Sequence, residues 1–403
     1  MKNIIVITNF TSLPGELGYN RFRYICDLLT EHGHNVTLLT SSFNHYDKKQ
    51  RNESELEYLK CRYKIELIYE KGYKKNISFR RISSQKQFAR NVKKFLQLSN
   101  IKYDAIYCCV PTLETAKVCG NYADSLGIPF IIDVQDLWPE AMRMVIHIPF
   151  ITDLFCCLMK RQANKVYGMA DYIVAVSNEY LKRALEVNTK SKENAVVYIG
   201  SYIEEFNKGV KLYSDNIVKK SDEFWIIYVG TLGKSYDIRT LIRAHKILLD
   251  KGYENIKLKI LGRGQYENEL REYSREIKAE TDFEGFKEYG KMAAYLRKSD
   301  IAINSIVAKS AASIINKVGD YFAAGLPVLN SSQSKEMKKL IEDFNTGINY
   351  IPGDALDLSE KIEYLYKSPD ICAQMGKNSI RLAAEKFNRS NTYMEIVKLI
   401  ESI

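Results

Sequence analysis

The stretch SIINKVGDYFAAGLPVLNS, from Ser313 to Ser331, decides the fold class of this chain. Its apolar residues recur at helical spacing up to Gly325, which is typical of a helix end, and Pro327 prevents the helix from continuing. The apolar pair Val328 and Leu329 then predicts a buried strand. A helix that runs directly into a buried strand is the repeating unit of an α/β domain with a parallel sheet.

The start of this helix is a candidate site for a phosphate group. Ser310 and Ser313 are the candidate N-caps, and Asn316 and Lys317 follow them. Unpaired N–H groups and roughly half a positive charge at a helix N-terminus attract anions. A diphosphate therefore fits beside Lys317, with Asp320 one turn further into the helix. An ordinary helix–strand unit with a surface lysine fits the same pattern, so the rest of the chain has to decide.

Length and composition indicate two globular domains without a membrane span. The chain has 403 residues and is 46% apolar, which is enough for two separate cores. No apolar run reaches the ~18 residues of a membrane helix, and the N-terminal IIVITNF is too short for a secretory signal. The eight cysteines form no CxxC pair, which favours reduced thiols in a cytoplasmic protein. The five histidines offer only the pair His32 and His34, so we expect no metal.

Strand-like runs alternate with helical patterns, and this alternation starts twice. IIVITN, NVTLLTS and DAIYCCV belong to the first half, and WIIYVG, KLKILG and PVLNS belong to the second. The polar, aperiodic segment 201–220 separates the halves. We therefore predict two doubly wound Rossmann-like domains, 1–200 and 201–380, that face a central cleft, and a C-terminal helix over 381–403 that packs back on the first domain.

Glycine turns follow several of the predicted strands. The backbone of such a turn can approach a phosphate closely, although each turn taken alone is also an ordinary strand–helix connection. The spacing of the first turn differs from the GxGxxG pattern, so it is weak support for a dinucleotide. The candidate binding residues on these turns are Gly15, Gly18, Gly230, Thr231, Lys234, Gly262 and Arg263.

The net charge of +10 is concentrated in one segment. Residues 71–102 contain no acidic side chain, and within them an amphipathic helix over 85–98 has cations around an apolar stripe. The stripe consists of Phe88, Val92, Phe95 and Leu96. Such a helix suits an anionic membrane surface, and the alternative is that the stripe packs on the sheet while the lysines are solvated. No nucleic-acid reader motif accompanies the charge, so we do not expect nucleic acid to bind.

Seven motifs occur in a fixed order along almost the whole chain. They are GHNVTLLT, DVQDLWPE, ADYIVAVSNEYLKRAL, YVGTLGKSYDIRTLIRA, LKILGRGQYENEL, FEGF and NKVGDYFAAGLPVLNS. This order resembles the retaining glycosyltransferases of family 4, which have the GT-B fold. DLWPE and NKVGDYFAAGLPVLNS are most similar to the branch that builds bacterial surface polysaccharides, including N-acetylfucosaminyltransferase-like enzymes. The resemblance implies a nucleotide sugar bound mainly by the second domain, an acceptor bound mainly by the first, and no metal.

The resemblance also assigns roles to individual residues. Asp320 stands at the second glutamate of the family's Glu-seven-residues-Glu motif, whose role is to bind the nucleotide ribose. Phe286 matches the region that lines the nucleobase, and Asp136 is the main polar candidate that faces the acceptor.

Asp320 replaces a glutamate, and Gln135 stands where a family histidine often precedes the aspartate. Three further positions also depart from the family pattern. Ala312 replaces the first glutamate of that motif, and Thr231 and Tyr236 replace an arginine and a lysine that many members carry. The positive charge for the leaving diphosphate then has to come from other residues, namely Lys234, Arg263 and Lys317.

The sequence thus predicts a transferase that moves a sugar from a nucleotide-diphosphate donor, a UDP-sugar, to a polyprenyl-diphosphate-linked saccharide in O-antigen or capsule synthesis. We expect it to work at the inner face of the plasma membrane. In the same-face route proposed for this family, the departing phosphate oxygen takes the acceptor proton, so cations matter more than a base. A catalytically silent GT-B subunit, which binds nucleotide sugar or scaffolds a partner, stays open as an alternative. A GT-B nucleotide-sugar epimerase is a lesser one.

Overall fold

The computed structural model describes residues 1–16, 18, 20–52, 54, 60–76, 78–140, 151–310 and 314–403, without the side chains of 151–155. The chain divides into two compact units, which we call unit 1 (Met1–Val197 with Tyr393–Ile403) and unit 2 (Tyr198–Thr392). From the sequence we drew the boundaries at residues 200 and 380, whereas the chain leaves unit 2 only after Thr392. The segment before that point stays in unit 2 because Phe387 stacks on Tyr198, with 5.0 Å between ring centroids.

Unit 1 is built on parallel strands joined by helices, and its elements are numbered along the whole chain. Its strands are β1 (Asn3–Thr8), β2 (Asn35–Ser41), β3 (Phe43–Asn44), β4 (Lys49–Gln50), β5 (Lys64–Ile68), β6 (Ala105–Val110), β7 (Phe130–Val134), β8 (Tyr172–Ala175) and β9 (Glu193–Val196). Its helices are α1 (Arg21–Glu31), α2 (Phe79–Leu98), α3 (Leu113–Leu126), α4 (Ile151–Met169), α5 (Asn178–Leu185) and α15 (Met394–Glu401).

The main sheet of unit 1 has seven parallel strands in the order β5-β2-β1-β6-β7-β8-β9, beside an antiparallel β3–β4 pair. The order reverses between β1 and β6, so β1 and β6 lie at the centre and are buried on both faces. This explains why both strands read as continuous apolar runs in the sequence.

A buried ion pair fixes the C-terminal segment in unit 1. Arg21 Nε lies 2.9 Å from Asp133 Oδ2, and both side chains are fully buried. Tyr107 Oη donates to the same carboxylate at 2.7 Å. Arg21 Nη1 donates to Val197 O at 3.0 Å and to Tyr393 Oη at 2.9 Å. A buried charge is tolerated only when its donors are satisfied, so Arg21 has a structural role.

Helix α2 decides between the two interpretations of the basic segment. Its Phe88, Val92 and Leu96 are buried in unit 1, so they are not available to a membrane. The cations of the same helix are exposed, namely Lys86, Arg90, Lys93 and Lys94. The interpretation of the stripe as a membrane-facing surface is therefore wrong, and any membrane contact has to use the cations. Across the described ranges, every helix is too short or too polar to span a membrane.

Unit 2 repeats the same architecture. Its strands are β10 (Phe224–Val229), β11 (Ile256–Leu261), β12 (Asp282–Gly285), β13 (Ile301–Asn304), β14 (Val328–Asn330) and β15 (Gly347–Asn349). Its helices are α6 (Ile203–Tyr213), α7 (Ile238–Asp250), α8 (Glu267–Glu276), α9 (Tyr289–Lys298), α10 (Asn316–Ala323), α11 (Lys335–Phe344), α12 (Ala355–Lys367), α13 (Pro369–Leu382) and α14 (Arg389–Thr392). A 3₁₀ turn (Ser214–Asn216) and a π-helical turn (Ala383–Phe387) complete it.

The sheet of unit 2 has six parallel strands in the order β12-β11-β10-β13-β14-β15. The order reverses between β10 and β13, and ligands of open parallel sheets bind outside the carboxyl ends of the strands at such a point. A ladder of asparagines closes this edge, because Asn304 Nδ2 donates to Asn330 Oδ1 and Asn330 Nδ2 donates to Asn349 Oδ1, each at 2.7 Å. The predicted pair of doubly wound Rossmann-like domains is thus confirmed.

Candidate functional site

The candidate site of unit 2 starts from two glycine turns that pack backbone against backbone. Gly230 N donates to Leu261 O, and Gly262 N donates to Gly285 O, each at 2.9 Å. A β-carbon on Gly262 would lie 1.8 Å from Gly230 O, and the φ of Gly262 is +148°. Only glycine fits there, so the turns after β10 and β11 form one rigid floor.

Helix α10 follows β13 on the other side of the reversal point. It begins at Asn316 after the extended residue Ile315, which offers no side-chain cap. The prediction of Ser310 as N-cap is therefore wrong, and Ala312 and Ser313 lie outside the described residues. Because Ile315 has no polar side chain, it cannot accept hydrogen bonds from the first N–H groups of α10. Those N–H groups can bind another acceptor, such as a ligand.

The predicted end of α10 is confirmed. Gly325 has a φ of +75°, and its N–H donates to Phe322 O at 2.9 Å. Leu326 N donates to Tyr321 O at 3.1 Å. These two bonds form the glycine-dependent cap that the sequence indicated, and they turn the chain directly into β14.

Lys317 lies in an aromatic cage, by which we mean the rings of Tyr228 and Tyr236. Its Nζ is 3.9 Å from the centroid of the first ring and 4.1 Å from that of the second. The Nζ atom is buried and has no hydrogen-bond partner among the described residues. A β-carbon on Gly230 would lie 2.8 Å from it, so the amine sits directly against the Gly230 turn. Burial lowers the pKa of Lys317 well below its ordinary value.

Tyrosine hydroxyls hold the cage in place. Tyr228 Oη donates to Thr231 O at 2.9 Å, which fixes the turn after β10. Tyr321 of α10 accepts a hydrogen bond from Val229 N at 2.9 Å and donates to Val229 O at 3.2 Å. Strand β10, its turn and helix α10 are thereby joined, which fixes the position of the Lys317 amine.

The other two predicted cations of unit 2 are exposed. The guanidinium carbon of Arg263 lies 4.8 Å from the ring centroid of Phe286, which is itself half exposed. Lys234 lies on the Gly230 turn, and no ion pair of the described residues includes it. The structure thus places Arg263 against Phe286, and Lys317 against the Gly230 turn. Lys234 has no described contact with Arg263 or with Lys317.

Asp320 does not pair with Lys317 but accepts a hydrogen bond from a tyrosine. Tyr289 Oη donates to Asp320 Oδ1 at 2.8 Å. Burial raises the pKa of Asp320, and the hydrogen bond from Tyr289 opposes that rise. Although Lys317 and Asp320 are three residues apart on α10, the described contacts do not include an ion pair between them. The Lys317 amine therefore has no carboxylate counter-ion in the described part of unit 2.

Three further predicted residues lie in unit 1. Gly15 and Gly18 have φ values of +82° and +131° in the loop after β1, and Glu16 between them pairs with Arg51 at 2.7 Å. Asp136, after β7, accepts hydrogen bonds from Trp138 Nε1 at 3.2 Å and from Leu137 N at 2.9 Å. Burial raises the pKa of Asp136.

Sequence reasoning missed the two cage tyrosines. Tyr236 was noticed only as a replacement for a lysine, and Tyr228 was read as part of a buried strand. The available signal was that both flank the Gly230 turn, but only the fold shows that Lys317, some eighty residues later, enters between them. Within the described ranges, no group of three or more His, Cys, Asp or Glu side chains is placed to hold a metal, and metal independence stays a prediction.

Comparison with known proteins identifies similar sequences. Residues 210–382 match the family of glycosyl transferases group 1. The capsular polysaccharide biosynthesis glycosyltransferase CapM of Staphylococcus aureus is 25% identical over 238 residues, which cover 56% of this chain and 60% of CapM. The putative glycosyltransferase EpsD of Bacillus subtilis is 21% identical over 236 residues, which cover 57% of this chain and 60% of EpsD. The chain thus spans 60% of the length of these curated relatives.

Solved structures with the same fold cover nearly the whole chain. Anabaena Alr3699/HepE in complex with UDP has a TM-score of 0.71 and 16% identity, and the match covers 100% of both chains. WaaG, a glycosyltransferase involved in lipopolysaccharide biosynthesis, has a TM-score of 0.67 and 12% identity, with 97% of this chain and 99% of WaaG covered. These matches confirm the predicted GT-B fold, while stereochemical retention and the N-acetylfucosaminyltransferase-like branch stay predictions.

Proposed function

We propose that this chain, whose residues 210–382 match the glycosyl transferases group 1, is a glycosyltransferase of surface-polysaccharide synthesis. It moves a sugar, with retention, from a UDP-sugar to a polyprenyl-diphosphate-linked saccharide of a capsule or O-antigen. The observation that carries this proposal is the buried Lys317 amine, which has no described counter-ion and lies against the Gly230 turn. The UDP complex of the structurally similar HepE supports the choice of nucleotide.

Charge on the leaving diphosphate is what the site has to stabilise. In the proposed reaction the acceptor hydroxyl oxygen bonds to the anomeric carbon while the bond between that carbon and the β-phosphate oxygen breaks. The departing phosphate oxygen takes the proton of the acceptor hydroxyl. A preorganised donor in a water-excluded site typically contributes about 2.7–4 kcal/mol to such a step. We assign this stabilisation of the diphosphate to Lys317 and the N-terminus of α10. Arg263 and Lys234 add positive charge from the glycine turns. Lys317 then provides the positive charge that a lysine provides in many family members at the position of Tyr236.

The nucleoside half of the donor has its own candidates. Asp320 Oδ1 is held by Tyr289, and we assign its carboxylate to the ribose hydroxyls. Phe286, with Arg263 over its ring, offers a face for the nucleobase, and Asn316 and Ser313 border the helix start. Asp136 of unit 1 is proposed to face the acceptor, and the positive φ values of Gly15 and Gly18 to let the backbone of their loop approach a phosphate closely.

Replacing Asp320 with alanine is expected to weaken UDP binding at least ten-fold, since a hydrogen bond to a charged group contributes about 1.5–3 kcal/mol and each 1.4 kcal/mol is about a factor of ten. Calorimetry with UDP and with 2′-deoxy-UDP checks the role of the carboxylate. The wild type should prefer UDP, and the variant should lose that preference. If Asp320→Ala keeps the wild-type affinity, the ribose assignment is wrong.

Nucleotide release tests the proposed function. The full chain is incubated in EDTA with a panel of UDP-sugars, with and without a lipid-linked saccharide extracted from membranes. We expect UDP to be released only when the acceptor is present, and mass spectrometry to show an acceptor heavier by one sugar. A silent subunit, which the changes at Thr231 and Tyr236 keep open, binds UDP and releases none. An epimerase converts the donor without any acceptor.

We also propose that the exposed cations of segment 71–102 bring the protein to an anionic membrane on the cytoplasmic side. Replacing Lys86, Lys93 and Lys94 with glutamate is expected to reduce sedimentation with phosphatidylglycerol vesicles at least ten-fold, because each cation contributes about 1 kcal/mol. The matched control places glutamate at three exposed lysines of unit 2, namely Lys208, Lys211 and Lys220. Equal sedimentation of the two variants would contradict the proposal.

A further inference from the structure

A second cluster of rings and cations lies at the carboxyl edge of the unit 1 sheet. Phe10 follows β1, Tyr73 follows β5 and Trp138 follows β7, and we call these three rings the aromatic box. The guanidinium carbon of Arg81 lies 5.6, 5.6 and 5.4 Å from their respective ring centroids. Because the strands are parallel, three loops distant in sequence converge on one arginine of the first turn of α2.

Positive charge accumulates around this box. Lys48 Nζ lies 5.0 Å from the ring centroid of Tyr73, and His45 Nδ1 is 2.5 Å from Tyr73 Oη. Burial, with Lys48 and Arg81 nearby, lowers the pKa of His45 to about 3. Burial, with Arg81 nearby, also lowers the pKa of Lys48. Arg81 and Lys48 therefore repel each other across a partly buried space.

The neighbouring carboxyl groups form other hydrogen bonds and no described ion pair with Arg81. Glu70 accepts a hydrogen bond from Ser84 Oγ at 2.6 Å, and Asp136 accepts one from Trp138 at 3.2 Å. Burial raises the pKa of both carboxyl groups, and the nearby Arg81 opposes that rise in each. In the described ranges, neither Arg81 nor Lys48 forms an ion pair.

Arg81 also keeps a donor without a partner. Its Nη1 donates to Asn76 O at 2.8 Å, but its Nε is buried and has no hydrogen-bond partner among the described residues. The helix start adds to the positive field, because Ser78 caps α2 and its first turn contains no acidic residue. A buried guanidinium N–H without a partner is costly, and a ligand oxygen would satisfy it.

We infer that Arg81 and the aromatic box form a binding site for a saccharide that carries an anionic group, either a phosphate or a carboxylate. The rings of Phe10 and Trp138 are partly exposed and suit the apolar face of a sugar ring, and the guanidinium and Lys48 suit the anion. The role of this saccharide as the acceptor rests on the proposed function. The site makes Arg81 a residue that selects acidic or phosphate-bearing acceptors over neutral ones.

Direct binding tests the inference without turnover. Three probes are titrated against the full chain in saturating UDP, followed by NMR saturation transfer: methyl β-glucuronide, glucose 1-phosphate and neutral methyl β-glucoside. We expect one of the two anionic probes to bind at least ten-fold more tightly than the neutral probe, and its identity tells whether a carboxylate or a phosphate is recognised. Arg81→Gln should remove this preference. Arg80→Gln, at the adjacent exposed arginine whose described hydrogen bond goes to Gly72 O at 3.3 Å, should keep it.

The inference is overturned if the three probes bind alike, if none binds, or if both glutamine variants lose the preference equally. Arg81→Lys keeps the charge and should retain part of the preference, and it replaces Arg81→Gln if thermal unfolding shows that the glutamine variant does not fold. UDP affinity and nucleotide release report the proposed function separately. Loss of anion preference with intact UDP binding removes only this inference, whereas absent UDP binding with intact preference removes only the donor assignment.

Discussion

Replacing Lys317 with methionine is expected to lower turnover by about 10²–10³-fold, the loss seen when one preorganised transition-state donor is removed. Methionine keeps the length and apolar stem of the side chain, so it fills the space between Tyr228 and Tyr236. What disappears is the charge that meets the leaving diphosphate. The measurement is kcat for acceptor-dependent UDP release.

The same substitution should not destabilise the protein. The Lys317 amine is buried without a described hydrogen-bond partner, and such a group costs free energy in the folded state that methionine does not. The pKa of Lys317 in the folded state is lowered from its ordinary 10.5, so the unfolded chain binds the proton more readily below that pH. The stability advantage of Lys317→Met should therefore be larger at neutral pH than at pH 10.5 and shrink as the pH rises between the two.

The control for this prediction is an exposed lysine of the same unit. Lys339 on α11 pairs with Asp343 at the surface, and Lys339→Met should change neither turnover nor the pH dependence of stability. Wild-type turnover in Lys317→Met would remove the amine from the site. A large drop in melting temperature would instead show that the cage needs the cation for packing.

The fold was accessible from the sequence because its signals are local. Apolar runs such as those of β1 and β10 predict buried strands wherever they stand, and Gly325 predicts the end of α10 from its neighbours alone. The three strands β13, β14 and β15 each end in asparagine, and that repeat was a further local sign of a shared edge.

The site was less accessible because its contacts join distant parts of the chain. Helix α2 shows the limit, since an amphipathic stripe fits a membrane and a protein core equally well, and only the fold shows that Phe88 is buried. Lys317 was predicted for its helix start, whereas the feature that sets its chemistry is the pair of tyrosines. The start of α10 was also not accessible. A serine was predicted as its N-cap, whereas the residue before the helix is the extended Ile315.

Replacing Gly262 with alanine is expected to destabilise the protein by about 3 kcal/mol or more, which is the range for strain at a special backbone conformation combined with a core clash. The new β-carbon would lie 1.8 Å from Gly230 O, and a main-chain oxygen cannot rotate away as a flexible side chain does. Relief requires the turns after β10 and β11 to separate, which breaks the bonds from Gly230 N to Leu261 O and from Gly262 N to Gly285 O. Thermal unfolding measures the loss, at about 2–4 °C per kcal/mol for a domain of this size.

Gly233→Ala is the matched control, because Gly233 lies on the turn after β10 that Gly262 contacts, lacks a positive φ, and its β-carbon would meet only Thr231 Cγ2 at 3.5 Å. Its stability should stay within about 0.5 kcal/mol of the wild type. Separating the two turns also moves Gly230 away from the Lys317 amine, so UDP affinity should fall with stability in Gly262→Ala. If Gly262→Ala unfolds at the wild-type temperature, the backbone contact between the turns is not present in solution, and the rigid floor beneath Lys317 has to be abandoned.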